Sequence, residues 1–92
     1  MIEPDYKKAF QWATKAAAQG NSTSQFFMGT SYEYGMGVEL DYEQAYVWYA
    51  LAASNGENAN DQRDKVAQYL TPKRLAEAKL RMQIVSQVIN MR

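Results

Sequence analysis

The chain has 92 residues, enough for one small domain with an adequate but not generous core. Ten basic and ten acidic residues cancel, so no overall field would gather nucleic acid or an anionic membrane surface. Cysteine and histidine are both absent, which removes disulfides, thiol chemistry, the usual general base near neutral pH and the commonest metal ligand.

An apolar fraction of 47%, with seven Tyr, three Phe and two Trp, argues for a packed unit rather than a disordered tail. No stretch approaches the roughly 20 apolar residues of a membrane span. The opening Met1-Ile2-Glu3-Pro4-Asp5 does not read as a secretory signal, which leaves the cytoplasm as the default expectation. From Asp5 to Gly20 the chain reads as a helix: Asp5 is a candidate N-cap, and Gly20 suits the left-handed position after the last turn. A second helix is expected from about Ser22 to Tyr34, closed by Gly35-Met36-Gly37, where two glycines allow a tight reversal into an antiparallel partner. Gly29 in mid-helix costs about 1 kcal/mol relative to Ala. A close approach by Trp48 or Tyr49 would offset that cost.

The third helix repeats the first. Residues 5–20 return 36 positions later at 41–56, with seven of sixteen identical: Asp5/Asp41, Tyr6/Tyr42, Ala9/Ala45, Trp12/Trp48, Ala16/Ala52, Ala17/Ala53 and Gly20/Gly56. Self-similarity at such a period marks a stacked-repeat architecture, in which each unit buries its apolar face only against its neighbours. Asp41 and Gln44 have the spacing of a capping box, whereas Lys8 stands at the matching place after Asp5. Residues 58–70 then hold a helical segment with Ala59, Val66, Ala67, Tyr69 and Leu70 as buried candidates. Thr71-Pro72 starts a long last helix that runs to about Asn90. That helix has two apolar stripes: Leu75, Ala78, Met82, Val85 and Ile89, and on another face Leu80, Ile84, Val88 and Met91. Five helices, no strands and no linker are expected.

The run from Gln25 to Val38, with Gly29, Tyr32 and Gly35-Met36-Gly37-Val38, continues through Asp41-Tyr42, Ala45, Trp48-Tyr49, Ala52-Ala53 and Gly56. It resembles the Sel1-like repeat, one of the tetratricopeptide-type helical repeats. Met28 stands where Leu is usual, and Leu51 where a Lys commonly precedes the Ala pair. The resemblance implies an all-α, right-handed superhelix of about two and a half hairpins. Residues 1–20 would be a half repeat, 21–56 a full repeat and 57–92 a divergent C-terminal capping hairpin. It also implies a scaffold or adaptor that binds protein or peptide, with no catalytic site, no cofactor and no metal.

On this reading Trp12, Trp48, Tyr32, Gly29, Gly35, Gly37 and the Ala pairs are framework, with the two tryptophans wedged alike between neighbouring helices. If Gln25, Met28, Gly29 and Tyr32 face inward, then Thr23, Phe27, Thr30, Ser31 and Tyr34 line a partner-binding groove, unless Phe27 packs on a neighbouring hairpin. A helix with two apolar faces must bury the second against something, so Leu80, Ile84, Val88 and Met91 are candidates for self-association or for another domain. At the other end, a second helix without its first would leave Phe10, Ala13 and Ala17 uncovered, which also points to a homo-oligomer or to a longer array. Glu57, Asp61 and Asp64 read as helix-terminus acids rather than metal ligands. Lys7, Lys8 and Lys15 lack the interleaved aromatics of a nucleic-acid groove. Two alternatives to a binding module stay open. One is a purely structural piece of a longer array. The other is an enzyme, for which the residues offer neither a nucleophile–base pair nor a phosphate-cradling loop.

Overall fold

The computed structural model describes residues 5–91; the reading of the first four residues as no secretory signal lies outside them. Five helices follow in order: α1 (Tyr6–Ala18), α2 (Ser22–Tyr34), α3 (Tyr42–Ser54), α4 (Asn60–Ala67) and α5 (Pro72–Asn90). No strand occurs among the described residues. Four of the five helices start at a side-chain cap. Asp5 accepts from the Lys8 amide at 3.1 Å, Asn21 from Ser24 at 2.9 Å, Asp41 from Gln44 at 3.2 Å and Thr71 from Arg74 at 3.2 Å. Each bond satisfies one of the orphan donors of a first turn. α4 has no such cap and is the shortest element, beginning two residues later than its pattern suggests.

The α2–α3 reversal uses its glycines as expected: Gly35 and Gly37 have φ of 68° and 77°, a region costly for other residues. Met36 donates to the Ser31 carbonyl and Asp41 to the Tyr32 carbonyl, both at 2.9 Å, which ties the loop to its helix. Gly37 has a second constraint, since a Cβ there would run into the Tyr6 carbonyl at the start of α1.

α1 packs on α2, α2 on α3, and α3 on both α4 and α5. This is the one-dimensional order of a repeat solenoid, and the molecule is accordingly twice as long, 42 Å, as its thinnest dimension of 21 Å. At the C-terminal end α4 and α5 both lie on α3 and have little contact with each other. The core is centred on α3, where Ala45, Val47, Tyr49, Leu51 and Ala52 are at most 1% exposed. Gly29 is there to admit Tyr49: a Cβ would lie 2.6 Å from its ring. Of the buried candidates in 58–70, Ala59 and Val66 are fully enclosed. Tyr69 is instead 52% exposed and lies against Tyr42, ring centres 4.7 Å apart, because the helix ends at Ala67 and turns it outward.

Candidate functional site

α2 is sandwiched, and that decides its accessible surface. On one side Gln25 and Met28 meet α1. Gln25, fully buried, donates to the Ala17 carbonyl at 3.1 Å and accepts from Asn55 at 2.9 Å, which joins the ends of three helices. On the other side Tyr49 donates to Glu33 Oε1 at 2.7 Å and lies 3.1 Å from Thr30 Oγ1. Lys65 completes this cluster, 3.1 Å from Glu33 Oε2 and 3.1 Å from the Tyr34 hydroxyl, with its ammonium over the Tyr34 ring. Glu33 is only 4% exposed, and the cation keeps that buried carboxylate compensated. The hydrogen bond to Tyr34, then Glu33, holds the Lys65 pKa above its usual value. Burial, more than any partner, raises that of Tyr49.

The residues expected to form one groove therefore separate. Thr30 turns toward Tyr49 and Ser31 is completely buried, so neither belongs to an exposed face. The correction has a physical reason: a helix packed on two sides keeps only a narrow outer strip. Thr23 hydrogen-bonds Glu57 at 3.1 Å, Tyr34 is 58% exposed beside Lys65, and Phe27 lies toward α1. Glu57, Asp61 and Asp64 do not converge either, since Glu57 takes the Thr23 hydroxyl and Asp64 the Arg63 guanidinium at 3.0 Å.

The end-contact residues on α1 are corrected as well. Phe10, Ala13 and Ala17 are the inner face of α1: Ala17 is fully buried, Ala13 nearly so, and Phe10 meets the Tyr32 ring edge-on at 5.4 Å. The open strip lies one residue earlier, at Ala9, Trp12 and Ala16, rotated about 100° around a helix with 3.6 residues per turn. Trp12 is 74% exposed. With Thr23, Ser24 and Phe27 of α2 this strip lines an open apolar trough of about 410 Å³. On its far side Trp12 forms one wall of a shallow depression shared with Lys8, Gln11 and Lys15, and the Lys15 ammonium lies 5.7 Å from the indole centre.

The corresponding strip on α3 shows what such a surface does when covered. Ala45 and Ala52 are fully buried, and Trp48 packs against the Ala13–Ala17–Met28 cluster of the first helix pair. The tryptophans thus occupy unlike surroundings, contrary to the expectation of equivalent rungs, because no described helix lies on the outer side of α1.

Further concave surfaces adjoin α5. α5 keeps Leu75, Ala78, Met82, Val85 and Ile89 against α3, as its first stripe predicts. Its second stripe stays out, with Leu80 60%, Ile84 55%, Val88 56% and Met91 84% exposed. Ile84 and Val88 border a hollow of about 210 Å³ with Trp48 and Ala18. A cleft of about 390 Å³ between α4 and α5 is lined by Tyr46 and Ala50 of α3 together with Arg63 and Lys79. Among the described residues no three acidic side chains gather closely enough to hold a metal ion, and no helix is long and apolar enough to cross a membrane.

The Sel1 repeat model matches residues 1–21 and 22–57, together more than half of the chain. Among curated proteins none gives a significant match. Among solved structures, a protective antigen present in uropathogenic Escherichia coli strains, which displays an SLR fold, superposes with a TM-score of 0.89 at 37% identity. The match covers 96% of this chain and 19% of that one, so the chain spans about a fifth of that protein's length. Recurrence at 36 residues, the αL glycine turn and the α1-to-α5 stack all agree with these matches: the chain belongs to the Sel1 repeat family.

Proposed function

We infer that this Sel1 repeat protein is a non-catalytic protein-binding module, and that its docking surface is the trough between α1 and α2. One observation carries the reading: Trp12 is 74% exposed on an apolar strip whose counterpart, Ala45–Trp48–Ala52, is covered within the same chain. An exposed tryptophan beside a phenylalanine and three alanines is the composition of an interface centre, since large aromatics supply much of the energy of protein–protein contacts. The groove first expected along α2 contributes Thr23 and Phe27 to this surface.

The test compares the intact protein with Trp12→Ala and Phe27→Ala as bait, with circular dichroism to show that each variant keeps its helices. A partner retained by the parent and lost with both variants supports the reading. Identical captured sets from all three baits would mean that the trough is not the docking surface.

The outer stripe of α5 favours a second reading, self-association through Leu80, Ile84, Val88 and Met91. Sedimentation velocity at tens of micromolar, repeated with Ile84→Glu, reads it directly: a dimer that becomes a monomer supports the contact. A parent that is already a monomer removes it.

A further inference from the structure

We propose that the partner taken by the α1–α2 trough is an amphipathic helix whose apolar stripe is flanked by acidic residues. The proposal rests on the trough being the docking surface and adds the chemistry of its occupant. It follows from a comparison of α1 with α3, whose outer face already carries a helix. On α3, Gln44, Val47 and Leu51 stand at the repeat-equivalent positions of Lys8, Gln11 and Lys15. Val47 and Leu51 are each 1% exposed, in the cluster closed by Leu75, Met82, Val85 and Ile89 of α5. A helix laid on the same flank of α1 meets the Gln11 amide and the Lys15 ammonium where α5 meets Val47 and Leu51, with a second ammonium, Lys8, at the place of Gln44.

Those ammonium groups are available. Lys8 and Lys15 are exposed, and neither has a carboxylate within 4.0 Å among the described residues. Seven residues on one helix place them about 10 Å apart along the axis. Trp12 stands between this charged flank and the Ala9–Ala16–Phe27 trough. A docked helix would thus set its apolar side chains on Trp12, Ala9, Ala16 and Phe27, and carboxylates spaced by about two turns on Lys8 and Lys15. Such charges add specificity and encounter rate more than affinity. The chain's own exposed apolar helix has the wrong sign for this site. α5 carries Lys73, Arg74, Lys79 and Arg81 against Glu77, so a second copy offering that helix brings like charge to the two lysines.

The experiment uses two fluorescein-labelled 18-residue helical peptides with one shared leucine–alanine stripe, one flanked by glutamates at seven-residue spacing and the other by lysines. Anisotropy titrations are run at 50 mM and 500 mM salt. The glutamate peptide is expected to bind about tenfold more tightly at low salt, with the preference shrinking at high salt as exposed charges are screened. The Lys8→Glu/Lys15→Glu variant should reverse the preference, and Trp12→Ala should weaken both peptides. Equal binding of the two peptides, sensitive to Trp12→Ala, would overturn the acidic partner while leaving the trough as a docking surface. Failure of both peptides to bind the folded parent would overturn the trough itself and the partner with it. Self-association lost in Trp12→Ala would give the trough to a second copy and overturn the acidic helix as its occupant.

Discussion

α1 and α3 are two copies of one sequence idea with opposite fates. Each starts at an Asp-Tyr cap, carries Ala and Trp three residues apart and ends before a left-handed glycine. In α3 the strip with Trp48 lies in the interior of the stack, while in α1 the strip with Trp12 faces out. The difference lies in the neighbours: α3 packs against α2, α4 and α5, whereas among the described residues α1 packs mainly against α2. A repeat motif therefore specifies which residues are fit for burial, and position in the stack decides which of them are buried.

The strongest way to break that comparison is to remove each indole. Trp48→Ala should cost about 3 kcal/mol, the lower part of the range for emptying an enclosed aromatic site, because Trp48 keeps some exposure. Trp12→Ala should stay within about 0.5 kcal/mol, as for other exposed positions. Urea denaturation followed by far-UV circular dichroism measures both, and similar losses would erase the distinction between the two strips.

Next in size is Tyr49, whose repeat equivalent is Ala13, so only the second unit carries the Tyr49–Glu33–Lys65 cluster. Tyr49→Phe keeps the ring against Gly29 but leaves the buried Glu33 without one donor, at a cost of about 1–2 kcal/mol. The same cluster sets a pH dependence. Tyr49 and Lys65 both hold their protons more firmly folded than unfolded. The folded state therefore binds more protons in alkali. Their contribution is complete below the unfolded values near pH 10 and declines as pH rises beyond them. Burial gives Tyr32 and Tyr46 the same direction. The urea midpoint should therefore hold steady up to about pH 9 and fall from about pH 10 to pH 12, and Tyr49→Phe should shrink the fall. An unchanged midpoint would detach the cluster from stability.

The smallest expected effect is at Ser31, whose hydroxyl is buried without a hydrogen-bond partner in the structure. Ser31→Ala removes an uncompensated polar group and should be neutral or stabilising by about 0.5 kcal/mol, measured in the same urea melts. It should leave binding at the trough unchanged, whereas Phe27→Ala, one turn away, should reduce it.

Helix positions were legible because their signals are local. The caps at Asp5, Asp41 and Thr71 and the glycines at 20, 35, 37 and 56 act within a few residues of themselves. The 36-residue recurrence exposed the stack, and two stripes at helical spacing on α5 distinguished the face that docks from the face left open. The notch at Gly29 was also readable, since a mid-helix glycine asks for a close neighbour, and Tyr49 is that neighbour.

The trough was not legible in this way. On α1 the strip Phe10–Ala13–Ala17 and the strip Ala9–Trp12–Ala16 have the same spacing and similar apolarity, so their periodicity does not say which meets α2. A signal did exist: Lys8 and Lys15 flank Trp12, and long cations bordering an aromatic mark a solvent edge. The burial of Ser31, the turn of Thr30 toward Tyr49, the exposure of Tyr69 and the separation of α4 from α5 likewise depend on which helices come to lie beside them. The amino-acid sequence by itself determined where the helices begin and end and which residues could tolerate burial, because backbone propensity, capping and turn chemistry are short-range. Only the tertiary structure decided which tryptophan is enclosed and which is offered, because burial is a property of neighbours that lie far away along the chain.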